Sequence, residues 1–172
     1  MTFDTEGSQE NIIFEKGSSK LTIAFAGLPG GLCEVRHDFY NQTSGMDCSK
    51  VFVKDPKKLW YQQGISPEID SIPNLQENLE GLIKEVTPTN VVCIGISAGA
   101  YAALLFGHLL KANKVHAFGP QTFLSADLHS KYNISREKWW SDMLRTEGLD
   151  GSGEYSDLKP LLLQNEITEH II

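Results

Sequence analysis

The residues most able to do chemistry are grouped in the pentapeptide Gly95-Ile96-Ser97-Ala98-Gly99. It follows the β-branched run Asn90-Val91-Val92-Cys93-Ile94 and precedes the Ala- and Leu-rich run Ala100 to Leu110. Strand, G-x-S-x-G and helix in that order are the context of a nucleophile elbow. The turn is so sharp that side chains two residues either side of the serine would collide with strand and helix, so Gly95 and Gly99 are structural requirements. Ser97 is then the candidate nucleophile. Its hydroxyl stands at a helix N-terminus whose unpaired N–H groups can meet a developing oxyanion.

A second segment, Phe25-Ala26-Gly27-Leu28-Pro29-Gly30-Gly31, closes an early strand. In the same reading it supplies the other half of an oxyanion hole, the Leu28 N–H pairing with that of Ala98. It is no phosphate-binding P-loop, since no Lys-Ser/Thr follows its glycines, and Ser97 occupies the second glycine of a dinucleotide fingerprint. A third stretch, Asp55 to Gly64, begins where a strand ends. There Asp55, Trp60 and Tyr61 either line a substrate pocket or anchor the loop to the core.

A serine nucleophile needs a base, normally histidine, and a carboxylate to orient it. The candidates for acid and base are Asp127, His129 and His170, and His170 would have to sit in a loop rather than a strand. His108 falls in the helix after Ser97 and His116 in a strand, while His37 and Asp38 are adjacent in a loop with no assignable role. The three cysteines, Cys33, Cys48 and Cys93, have no metal-ligand spacing, and no metal or cofactor is called for.

The elements that must position these residues can be read from hydrophobic pattern. Asn11–Glu15 and Lys20–Ala26 read as two strands joined by the turn Lys16-Gly17-Ser18-Ser19 into an opening hairpin, and Lys50–Lys54 as a third. Leu75, Leu79, Leu82, Ile83 and Val86 keep helical spacing, with Pro73 before them and Thr87-Pro88 after. Lys114–Phe118 is a strand after the Ser97 helix. Ser135–Arg145 reads as a helix that carries Trp139-Trp140, Tyr155–Gln164 as a helix interrupted near Pro160, and Ile167–Ile172 as a strand. This alternation implies an α/β fold, a mostly parallel sheet with flanking helices, in one domain over residues 11–172 with residues 1–10 loosely attached.

At 172 residues, 41% hydrophobic and 22% charged, the chain is of ordinary globular composition. A net charge of −7 with no basic cluster argues against nucleic acid or an anionic membrane surface as partner. No apolar run reaches the ~18 residues of a membrane span. The acidic start, Met1 to Gly7, lacks the features of a secretory signal, so the expected location is the cytoplasm.

The hairpin, the Gly27-Leu28 turn, the Gly95–Gly99 pentapeptide and the strand at Lys114–Phe118 together resemble the α/β-hydrolase superfamily, over roughly residues 11–124. The resemblance implies acyl transfer of the esterase or thioesterase type, with Ser97 as nucleophile and Leu28 and Ala98 as oxyanion donors. The superfamily's chain order is Ser, acid, His. By that register the acid and base loops fall beyond Ile172, so the expectation is a hydrolase-like fold lacking its last strands, by roughly 40–60 residues. Three functions follow: an enzyme acting on a small ester or thioester, a catalytically inactive binding module, or a fragment completed by another chain. A sheet shortened in this way exposes an edge, which implies self-association or a partner chain at its C-terminal side.

Overall fold

The computed structural model describes residues 10–28, 36–133, 153–164 and 169–171. Six strands form one sheet: β1 (Ile12–Glu15), β2 (Lys20–Phe25), β3 (Ser49–Val53), β4 (Asn90–Ile96), β5 (Lys114–Phe118) and β6 (Glu169–Ile171). Five helices accompany them among the described residues: α1 (Tyr40–Thr43), α2 (Ile72–Val86), α3 (Ala98–Leu109), α4 (Ala126–Lys131) and α5 (Lys159–Leu162). The strand order is β1-β3-β2-β4-β5-β6. Every neighbouring pair is parallel except β1 with β3. This is the mostly parallel α/β architecture implied by the alternation of elements.

The opening hairpin is corrected. β1 and β2 do not pair, because β3 lies between them and hydrogen-bonds to both. The connection is pressed onto the start of β3, where Gly17 N–H donates to Ser49 Oγ at 3.0 Å and Ser18 Oγ donates to the Asp47 carbonyl at 2.7 Å. A Cβ on Gly17 would stand 2.3 Å from the Cys48 carbonyl oxygen, so only glycine lets the chain cross there.

Alternation along the strands sorts side chains onto two faces. On one face Leu21, Ile23, Phe25, Val51, Val53, Cys93 and Val115 pack against α2 and α3. α2 presents Ile72, Leu75 and Leu79 to that core. It starts at Ser71, whose hydroxyl accepts from Asn74 N–H, with Pro73 inside its first turn. α3 is apolar all round and buried along its length from Ala98 to His108. At Gly107 a Cβ would come within 2.5 Å of Val115 Cγ2, so the glycine brings α3 close to β5. On the other face Ile13, Ala24 and Phe52 are covered by Phe39 and Tyr40.

The C-terminal third departs from expectation. The segment after β5 contains the short helix α4, which its mixed pattern did not announce. The helix expected over Tyr155–Gln164 is the single turn α5, and Pro160 opens it rather than interrupting it. β6 supplies the last strand, over Glu169–Ile171. The helix expected at Ser135–Arg145 lies outside the described residues, as do Cys33 and the Pro29-Gly30-Gly31 part of the glycine-rich turn.

Candidate active site

Ser97 stands between β4 and α3 with φ 54° and ψ −118°, a conformation outside the allowed regions for a residue with a Cβ. Three backbone bonds hold it there. Its N–H donates to the Phe118 carbonyl at 2.9 Å, and its carbonyl accepts from Ala100 and Tyr101 N–H at 3.0 and 3.1 Å. The flanking glycines are there because nothing larger fits: a Cβ on Gly95 would lie 2.0 Å from the Gly99 carbonyl oxygen, and one on Gly99 would lie 2.1 Å from that of Phe25. The Ser97 side chain makes no capping bond to the first turn of α3. Its hydroxyl is thus left to serve something other than the helix.

The turn after β2 is brought to the same place by sheet register. Phe25 pairs with Gly95, so Gly27 and Leu28 leave β2 level with Ser97. The approach is close, since a Cβ on Gly27 would sit 2.8 Å from the Ile96 carbonyl oxygen. Ala26 N–H donates to the Val53 carbonyl at 2.9 Å and Gly27 N–H to Asp38 Oδ2 at 2.8 Å. Asp38, which carried no role in the sequence, is therefore a component of this site. Ala98 is wholly buried at the start of α3.

The third segment is an anchor rather than a pocket wall. Asp55 and Tyr61 are fully buried and Trp60 nearly so, leaving no surface for a substrate. Asp55 Oδ1 accepts from Lys57 N–H at 2.9 Å, and Oδ2 accepts from Leu59 and Tyr61 N–H at 2.7 and 2.9 Å. Burial raises its pKa, and these amides pull it back. The carboxylate holds a loop in which Lys58, Trp60 and Tyr61 all have positive φ. Tyr61 Oη reaches the carbonyls of Ala26 and Val53 at 2.8 and 3.2 Å, and its ring meets the Phe25 ring edge-on. Burial, then the charges of Asp55 and Asp38, push its pKa well up. Trp60 Nε1 donates to Gln121 Oε1 at 3.1 Å.

Tyr101, one turn into α3 from Ser97, accepts from Gln62 Nε2 at 2.8 Å and donates to the Tyr155 carbonyl. It ties the Asp55 loop and the chain after α4 to the helix under Ser97. Sequence reasoning missed it because its partners are 39 and 54 residues away.

The acid and base candidates lie in α4 and β6. His129 lies in α4, where it packs edge-on against Phe123 at 4.9 Å with Nε2 3.4 Å from the Phe123 carbonyl oxygen. Asp127 is exposed in the first turn of α4. His170 is in β6, within a strand and not in a loop. It pairs with Val115, which pairs with Cys93, so it is level with a position four residues before Ser97. His37 Nε2 lies 3.1 Å from the Glu10 carbonyl oxygen. Cys93, buried beneath Ser97, has its thiol pushed up to about 12 by desolvation, so it is no competing nucleophile. No group of three or more His, Cys, Asp or Glu with metal-binding geometry occurs among the described residues. A cleft of about 870 Å³ lies between β1 and α2, lined by Ile12, Phe14, Ile69 and Leu82, three strands from Ser97. A smaller pocket of about 350 Å³ is lined by Phe123, Leu128, Tyr132 and Leu162.

Sheet, helices and turns together define the class: the protein has an α/β-hydrolase-like fold, and solved structures agree. Capsule O-acetyltransferase of Neisseria meningitidis serogroup A superposes with a TM-score of 0.58 at 21% identity, over 86% of this chain and 61% of its own. MPT51 of Mycobacterium tuberculosis gives 0.60 at 14% identity, over 92% and 66%. FphF of Staphylococcus aureus, a fluorophosphonate-binding serine hydrolase, gives 0.53 at 10% identity, over 94% and 62%. At such identities the likeness is one of fold. The chain spans about three fifths of the length of the acetyltransferase and of FphF. No protein-family model matches it, and no curated protein sequence does.

Proposed function

We propose that the protein is a serine hydrolase-like acyl-transfer protein working through Ser97 on a small ester or thioester. The observation that carries this reading is the backbone of Ser97, held at positive φ at the start of α3 with its hydroxyl left out of the helix cap. A fold does not keep such strain without a use for it. In the reaction Ser97 Oγ attacks the acyl carbonyl, an O–C bond forms, and the carbonyl oxygen takes the negative charge. The N–H groups of Leu28 and Ala98 receive that oxyanion. The leaving group departs with a proton, and water or an acceptor hydroxyl then takes the acyl group from Ser97. Asp127, His129 and His170 stay the proposed sources of acid and base. The setting proposed is the cytoplasm, with Cys48 and Cys93 as free thiols. No helix among the described residues is long and apolar enough to cross a membrane.

The register of His170, level with Cys93 and two strands from β4, favours a second reading. The chain is a binding module, or a partial fold whose acid and base come from another chain. A fluorophosphonate probe separates the readings. Covalent labelling of folded protein that is lost in Ser97→Ala supports the enzyme, and well-folded protein that takes no label rules out an autonomous one.

A further inference from the structure

We propose that Asp38 and Tyr61 are positioning residues that clamp one peptide plane and so fix which amide the β2 turn presents to Ser97. This inference rests on the acyl-transfer reading for its purpose, though its geometry stands apart from it. The carbonyl of Ala26 and the N–H of Gly27 belong to the same planar peptide unit and point to opposite sides of it. The carbonyl accepts from Tyr61 Oη at 2.8 Å, and the N–H donates to Asp38 Oδ2 at 2.8 Å. Gripped at both ends, the plane cannot rotate. One amide earlier, Ala26 N–H is committed to Val53. Leu28 N–H is then the first amide after β2 not taken by these partners.

Each jaw is itself held. Tyr61 is wholly buried and is presented by the strained loop that Asp55 secures with three backbone bonds. Three non-glycine residues at positive φ in that loop are a conformational cost. That loop aims Tyr61 Oη at the two carbonyls it meets. Asp38 precedes Phe39 and Tyr40, whose rings cover the opposite sheet face, so its backbone is fixed by packing. Its bond to Gly27 is charge-assisted, the stronger kind. Glycine is required at 27 because the turn passes within contact of the Ile96 carbonyl.

The test is the limiting rate of fluorophosphonate labelling, separated from probe affinity, in Asp38→Ala, Asp38→Asn and Tyr61→Phe. Removing an oxyanion donor costs about 100-fold or more in rate, and misdirecting one should cost about 10-fold or more, with little change in affinity. Asp38→Asn keeps an acceptor oxygen and should recover most of the loss. Amide exchange at Gly27 gives a readout independent of chemistry. It should quicken in Tyr61→Phe as well as in Asp38→Ala, although Tyr61 touches only the carbonyl end of the plane. Wild-type limiting rates in both Asp38→Ala and Tyr61→Phe overturn the clamp, as does unchanged Gly27 exchange in Tyr61→Phe. If Tyr61→Phe does not fold, the rates of the two Asp38 variants decide. An unlabelled wild type overturns the acyl-transfer reading alone, and Gly27 exchange then decides the clamp.

Discussion

Ser97 carries a conformational cost that can be measured. Its φ of 54° and ψ of −118° suit glycine, and holding a residue with a Cβ there costs about 1–3 kcal/mol. Ser97→Gly removes the strain but loosens the unfolded chain, which returns roughly 0.5–1 kcal/mol. The net gain of about 1 kcal/mol should raise the melting temperature by roughly 2–4 °C. Ser97→Ala keeps the Cβ and should melt with wild type. Both lose the hydroxyl, so neither should take a fluorophosphonate label, and thermal melts of the three proteins check the claim. At Gly95 and Gly99 the sign reverses. An added Cβ meets backbone oxygens at 2.0 and 2.1 Å, and carbonyls cannot swing aside as a side chain can. Gly95→Ala and Gly99→Ala should each destabilise by about 1–3 kcal/mol or more, read by denaturant unfolding. These three residues were legible because the turn is local: five consecutive residues state both the strain and the space it needs. Asp38 was not legible, because its contact to Gly27 spans 11 residues that follow no repeating pattern.

At the scale of elements, the loop from Asp55 to Gly64 depends on one carboxylate. Asn at position 55 offers a single acceptor oxygen to three amides and turns an NH₂ group toward the others. Asp55→Asn should therefore destabilise by about 2 kcal/mol or more, and should quicken amide exchange at Leu59 and Tyr61 before the rest of the chain opens. The segment before α1 gives a pH dependence. His37 has its pKa lowered from 6.5, by burial first and then by Lys54, against the opposing Glu10 carbonyl and Asp38. A folded value below the unfolded one means that the folded chain binds fewer protons. Its contribution is full above 6.5 and is lost as pH falls through the folded value. Melting temperature should decline in wild type as pH falls from 6.5 toward the folded value, and less steeply in His37→Gln. Strands β4 and β5 and helix α2 were legible because their faces repeat with period 2 or 3.6, and β2 and α3 because they are apolar runs bounded by turn residues. The false hairpin shows the limit of that pattern. Periodicity finds β1 and β2, but which strand lies beside β1 is settled by β3, some 35 residues on. Helices of four to six residues, as in α1, α4 and α5, are too short to establish a period.

Over the whole molecule, the sheet is covered unevenly. α2 and α3 bury one face from β3 to β5. The other face is covered near β1–β3 by Phe39 and Tyr40, but at its C-terminal end Ile96 and Phe118 remain 45% and 47% exposed. Those two residues are register partners on adjacent strands, so their exposed surface is one patch and not two scattered side chains. A paired apolar patch beside Ser97 is a surface for association or for a substrate's apolar part. The two uses differ in what they predict. If the patch joins molecules, light scattering should show mass rising with protein concentration. Added salt should strengthen the effect, because it screens the repulsion between chains of net charge −7. Ile96→Ser with Phe118→Ser should then return a monomer while fluorophosphonate labelling persists. If the patch serves substrate, wild type should scatter as a monomer across concentration and salt, and the same double variant should lose affinity for probes with long alkyl chains while short probes are unaffected.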